Sequence, residues 1–115
     1  MTTAGRLDRT FAALSDPTRR AILARLERDE ATVSALAAPL TIKLPAVMKH
    51  LAVLDDAGLI TRRKAGRTVT VRLAARPMRE AMAWLRRYER FWSPRLDRLA
   101  AFAEARETQA RKDAL

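Results

Sequence analysis

The chain has 115 residues, of which 23 are Lys or Arg, 13 are Asp or Glu and one is His, giving a formal net charge of +10. That length is one domain's worth of sequence, and 49 % hydrophobic with 31 % charged residues excludes a disordered chain. Absence of cysteine excludes disulfides, thiolate metal sites and cysteine nucleophiles, and no apolar run approaches the ~20 residues of a membrane span.

The N-terminal segment MTTAGRLDRT lacks the apolar region of a secretory signal, so a cytoplasmic location without membrane attachment is expected. Leu7, Phe11 and Leu14 share one face of a short first helix. Asp16-Pro17 reads as an N-cap with proline at the first helical position, and Ala21, Ile22, Leu23 and Leu26 carry that second helix over about 17–28. Thr32 caps a brief third helix with Val33, Leu36 and Ala37, stopped by Pro39.

A longer helix follows over 44–56, with Leu44, Val47, Leu51 and Leu54 as its apolar stripe. It ends at Ala57-Gly58, where glycine and the following Leu59 suit a left-handed C-cap. Beyond Leu59 the period changes from 3.6 to 2: Val69, Val71 and Leu73 alternate with Thr and Arg. Ala65-Gly66 separates two runs, which predicts a β-hairpin with one inward face and one face of arginines. The charge excess peaks here. Residues 1–58 are net +1 and residues 77–115 net +3. Residues 59–76 hold Arg62, Arg63, Lys64, Arg67, Arg72 and Arg76 with no acid, net +6. A compact single-signed segment attracts a polyanion; a merely solvated face would mix signs.

From Pro77 the chain is helical again. Trp84, Leu85, Tyr88, Phe91, Trp92, Leu96, Leu99 and Phe102 form a stripe at three- and four-residue steps, and Ser93-Pro94 either kinks one helix or caps a second. Residues 106–115 read as a polar, fraying tail. The organisation expected is a core over 1–76 that ends in the basic hairpin, one or two further helices over 77–105 in the same domain, and the tail.

A short helix, a turn and a longer helix form the helix-turn-helix layout, whose second helix lies in a major groove. A basic hairpin directly behind it acts as a wing that reaches backbone or minor groove. The fold class is thus mainly α with a small β-hairpin, a winged helix-turn-helix. On the long helix, positions 45, 48, 49 and 52 lie opposite the buried 47–51–54 stripe.

Two stretches carry a family resemblance: Leu14-Ser15-Asp16-Pro17-Thr18-Arg19-Arg20-Ala21-Ile22-Leu23, and Leu44-Pro45-Ala46-Val47-Met48-Lys49-His50-Leu51 with Leu54 and Ala57-Gly58-Leu59-Ile60 behind it. Over about residues 7–103 the chain resembles the ArsR/SmtB family of bacterial repressors. The run from Trp84-Leu85 through Tyr88-Glu89-Arg90-Phe91-Trp92 to Leu96-Asp97 resembles a subgroup often encoded beside START/Bet v 1-type proteins. The resemblance implies a homodimeric DNA-binding regulator, usually a repressor, with base-reading positions at Leu44, Pro45, Met48 and Lys49. Many relatives have Ser at the positions of Lys43 and Met48. Lys43 offers no side-chain acceptor to cap the helix, though Thr41 is near, and Met48 points to apolar contact with thymine methyls.

Lys43, Lys49, Arg62, Arg63, Lys64 and Arg67 join those positions as candidate DNA-binding residues. His50 reads as a packed, hydrogen-bonded neighbour rather than a contact, and Arg20 as a structural residue paired with an acid. Phe11 and Leu14, with Trp84, Tyr88, Phe91, Trp92 and Leu96, exceed what so small a core needs and are expected to form a two-fold interface through the N- and C-terminal helices. Metal-sensing relatives carry a cysteine pair in the third helix, at positions that are Thr32 and Ser34 here. With no Cys and one His, no metal site and no cofactor are expected. No phosphate loop, paired catalytic acids or Ser/His/Asp set is present, so no enzymatic activity is expected. Two other readings stay open: a repressor whose small-molecule effector enters a pocket at the dimer seam, and an interaction module using the basic aromatic C-terminal helix on an anionic membrane surface.

Overall fold

The structure, a computed structural model, describes residues 2–92 and 94–114; the side chains of Thr3 and Leu96 also lie outside the description. The elements run α1 (Thr3–Leu14), α2 (Pro17–Leu26), β1 (Ala31–Thr32), α3 (Val33–Ala37), α4 (Leu44–Asp56), β2 (Ile60–Ala65), β3 (Thr68–Leu73), α5 (Arg76–Arg86), a 3₁₀ turn (Glu89–Phe91) and α6 (Pro94–Asp113). They fall into two compact units, Met1–Met82 and Ala83–Leu115.

In the first unit, Asp16 caps α2 as the sequence indicated: its carboxylate accepts the Arg19 backbone N–H at 3.0 Å, with Pro17 opening the helix. The same corner closes α1. Arg19 donates to the carbonyls of Ala13 (2.8 Å) and Ala12 (2.9 Å), and Arg20 donates to that of Leu14 (2.8 Å). Two guanidinium groups thus cover the negative end of α1. Arg20 is structural, but its partner is a backbone carbonyl rather than the expected acid.

Val47, Leu51 and Leu54 of α4 are fully buried with Ile22, Leu23 and Leu26 of α2, Leu36 of α3, Leu59, Ile60 and Val71. Leu44, expected on this stripe, is instead 55 % exposed at the open N-terminal end of α4. At the other end the Leu59 N–H donates to the Leu54 carbonyl and the Gly58 N–H to that of Asp55, both at 2.9 Å. Gly58 has φ +75°, so this is a Schellman cap with Leu54 and Leu59 buried against the core.

The sheet has three antiparallel strands in the order β1-β3-β2. The two-residue strand β1, pairing Ala31 with Val71 and Thr32 with Thr70, was not foreseen. The hairpin turn is Gly66-Arg67 rather than Ala65-Gly66, because Ala65 pairs with Thr68. Gly66 supplies the positive φ, +62°, at the first turn position. Arg67 therefore stands at the tip of the wing.

In the second unit the chain forms separate helical pieces, with the 3₁₀ turn between α5 and α6. Ser93, half of the expected kink or cap, lies outside the described residues. Helix α6 continues through the segment read as a polar tail as far as Asp113. No residue described in this unit is buried.

Candidate nucleic-acid interface

Helices α3 and α4, joined by the turn after Ala37, stand on the core through Leu36, Val47, Leu51 and Leu54. Burying that stripe leaves Leu44, Pro45, Met48 and Lys49 exposed, with Met48 at 36 %. Residues at 44–45 and 48–49 are one turn apart, so they form one outward face. At its head Lys43 makes no side-chain cap, and Thr41 does not substitute for it.

The wing lies beside this face. Leu44 and Met48 of α4, Thr32, Val33 and Ser34 at the start of α3, and Arg67, Thr68 and Val69 of the wing line one recess of about 390 Å³. An apolar patch, three hydroxyl-bearing side chains and a guanidinium thus converge on a single concavity.

The basic residues of the hairpin do not share one face. Cross-strand partners project to the same side of a sheet, and the register pairs Arg62 with Val71 and Lys64 with Val69, but Arg63 with Thr70. Arg62 and Lys64 therefore follow buried Ile60 on the inner face, and Arg63 shares the outer face with Arg72. Arg62 reaches Asp55 of α4, with its Nε and Nη2 at 2.9 and 2.8 Å from Oδ2. Arg72 lies 3.4 Å from Glu30. Among the described residues, Lys43, Lys49, Arg63, Lys64 and Arg67 carry no ion pair.

A family model described as a helix-turn-helix domain matches residues 14–63. An HTH-type transcriptional regulator of Mycobacterium tuberculosis is 48 % identical over 59 residues; the match covers 51 % of this chain and only 55 % of that protein's length. The transcriptional repressor SdpR of Bacillus subtilis is 29 % identical over 79 residues, covering 69 % and 88 % respectively. The crystal structure of an ArsR family transcriptional regulator superposes with a TM-score of 0.74 at 44 % identity, covering 77 % of this chain and 92 % of that one. This chain belongs to the ArsR family of transcriptional regulators.

Within this ArsR-family chain His50 is a packed neighbour of the α1–α2 corner, as its sequence context suggested. Its Nδ1 lies 3.2 Å from Nη1 of Arg19 and 3.8 Å from Oδ2 of Asp16. The Arg19 backbone N–H holds the Asp16 carboxyl below its ordinary range, against the opposing effect of burial, and the charges of His50 and Arg19 add to the lowering. Sequence reasoning singled out Arg20 here and missed Arg19, whose spacing from both α1 and α4 carries no local signal.

Of the residues expected at a two-fold interface, Phe11 and Leu14 belong to the first unit, with Leu14 half-buried against the core and Phe11 exposed. Trp84, Tyr88, Phe91 and Trp92 belong to the second, all exposed, Phe91 at 67 %. Trp84 and Tyr88 meet in a tilted pair with ring centroids 5.1 Å apart, and Tyr88 and Phe91 stack at 6.3 Å. The side chain of Leu96 is outside the described set. No described helix is long and apolar enough to cross a membrane.

Proposed function

We propose that the protein is a sequence-specific DNA-binding repressor that acts as a homodimer on an inverted-repeat operator and works by occluding a promoter. The observation that carries this reading is the shared recess: an exposed face of α4 and the tip of a basic wing open on the same concavity. Helix α4 enters the major groove, where Leu44, Pro45 and Met48 read thymine methyls by apolar contact. Lys43, Lys49, Arg63, Lys64 and Arg67, without ion pairs among the described residues, bind phosphates and supply the salt-dependent part of the affinity.

The winged core over 1–76 carries the DNA contacts, and the helices beyond it, with Phe11 and Leu14, carry dimerisation. Exposed Trp84, Tyr88, Phe91 and Trp92 are more apolar surface than a lone chain ordinarily leaves open. A dimer sets two α4 helices about one turn of duplex apart, ~34 Å, to match the repeat. The chain acts in the cytoplasm without a cofactor. It belongs to the branch that does not sense metals and is encoded beside START/Bet v 1-type proteins; absence of cysteine and the engagement of its one histidine with Arg19 support the former.

The test selects duplexes from a random-sequence pool and competes them against bulk random duplex. A specific repressor prefers the selected sites by at least about a thousandfold. Equal competition by random duplex sinks the reading. Replacing Arg63 and Arg67 with Gln is expected to weaken binding to every duplex and flatten its salt dependence while leaving site preference intact.

A further inference from the structure

We infer that Asp55 and Arg62 form a strut between the recognition helix and the wing, holding Arg62 off the DNA, so that the wing meets phosphate through Arg63, Lys64 and Arg67 alone. This rests on the reading that the wing docks on a duplex.

Arg62, Arg63 and Lys64 are consecutive and look equivalent in sequence, but the register puts Arg63 on the opposite face, and of the two on the inner face only Arg62 has an acidic partner among the described residues. Arg62 lies beside Val71 on the face turned toward α4, two residues along from buried Ile60. There two of its nitrogens converge on one oxygen of Asp55, at 2.8 and 2.9 Å, with both side chains partly shielded. Arg63 and Lys64 have no such partner among the described residues.

Asp55 is otherwise hard to explain. It occupies the last turn of α4, where backbone carbonyls already concentrate negative charge and a carboxylate is disfavoured. The Schellman cap there uses only its backbone. Pairing with Arg62 offsets that penalty and ties the C-terminal end of α4 to the root of β2. Drawing Arg62 onto a phosphate would leave the Asp55 carboxylate unpaired near a polyanion, so the pair stays closed in the complex. Asp55 is thus a positioning residue, and Arg62 fixes the wing rather than touching DNA. The Arg72–Glu30 pair is longer, 3.4 Å, with Arg72 largely exposed, and makes a weaker comparison.

The experiment measures affinity against KCl concentration by fluorescence anisotropy, on a duplex selected from a random pool and on a random duplex. It uses the full chain and its Arg62→Gln, Arg63→Gln, Asp55→Ala and Asp55→Ala/Arg62→Gln variants. Arg63→Gln is expected to reduce the log–log salt slope by about 0.9 per chain. Arg62→Gln is expected to leave the slope at the wild-type value but to cut the preference for the selected site several-fold, because the wing loses its register. Asp55→Ala frees Arg62, steepening the slope by about 0.9 per chain and tightening random-duplex binding; the double variant returns the slope to that of Arg62→Gln. Asp55→Asn serves the same comparison if the alanine variant does not fold.

An Arg62→Gln slope that falls as far as that of Arg63→Gln overturns the inference, as does an Arg62→Gln variant with unchanged slope and unchanged preference. Wild-type binding to no duplex at all overturns the DNA-binding reading and this inference with it. A lost slope in Arg62→Gln with wild-type binding intact overturns the strut alone.

Discussion

The two units of the chain use apolar residues in opposite ways. Residues 1–82 hold every buried side chain described, a compact set of mostly Leu, Ile, Val and Ala drawn chiefly from α1–α4 and the sheet, with Leu59 and, from α5, Ala81, yet only one aromatic residue, Phe11. Residues 83–115 hold the other five aromatic residues, and every described one of them is exposed. A helix of 20 residues such as α6 is marginal in water when nothing packs on it. Aliphatic side chains with well-defined rotamers complete a core within one chain; large amphipathic rings left at the surface suit contact between chains. The first unit has a buried core of its own, and the exposed rings of the second are the surface the proposed dimer would cover.

The largest effect that separates the units is a cavity. Leu51→Ala, at a fully buried site, is expected to cost about 2–5 kcal/mol by denaturant unfolding, while Leu99→Ala on exposed α6 costs less than about 1 kcal/mol. Similar losses at the two sites would mean that α6 has a core of its own. Next in size, Phe91→Ser or Trp92→Ser should raise the dimer dissociation constant by about tenfold or more in sedimentation velocity, with the unfolding of the first unit little changed. An unaltered sedimentation coefficient at every concentration would remove those residues from the interface. Gly58→Ala should destabilise by about 1 kcal/mol, since φ is +75° and the new Cβ meets Pro77 Cγ at 3.4 Å; thermal melts read this directly.

The smallest effect is on pH. Asp16 has its carboxyl held below the ordinary value in the fold, so its contribution is fully present above that ordinary value. It disappears as the pH falls through the lowered folded-state value. Asp16→Asn keeps a capping acceptor without the titration. Melting temperatures of the two proteins should differ at neutral pH and converge in acid; a constant gap would show that the carboxyl does not titrate with unfolding.

Local chemistry was legible where one short segment fixes one feature. Asp16-Pro17 gave the start of α2, Thr32 the cap of α3, and Ala57-Gly58-Leu59 the end of α4. Features set by partners distant in the chain were not. The strand β1 is two residues long and has no period of its own, existing only because Val71 and Thr70 of β3 lie alongside. The alternation of β3 alone does not tell which face the arginines of β2 take. Counting in twos from Ile60 along β2 would have put Arg62 on the inner side. Leu44 fits the helical stripe by spacing, but the core stops short of the first turn of α4, and periodicity has no way to register where a core ends. At the candidate site, Pro45, Met48 and Lys49 were legible from their positions opposite the stripe. The engagement of Arg62 with Asp55 was not, since seven residues and a chain reversal separate them.

In the proposed complex, two copies of this chain set their α4 helices into successive major grooves of one duplex. Hydroxyl-radical footprinting of a selected duplex, combined with sedimentation of the same complex, tests it most directly. The expected result is two chains per duplex and two symmetric protected half-sites centred about one helical turn (~34 Å) apart, each flanked by wing protection. One chain per duplex, or a uniform footprint without two-fold symmetry, would contradict it.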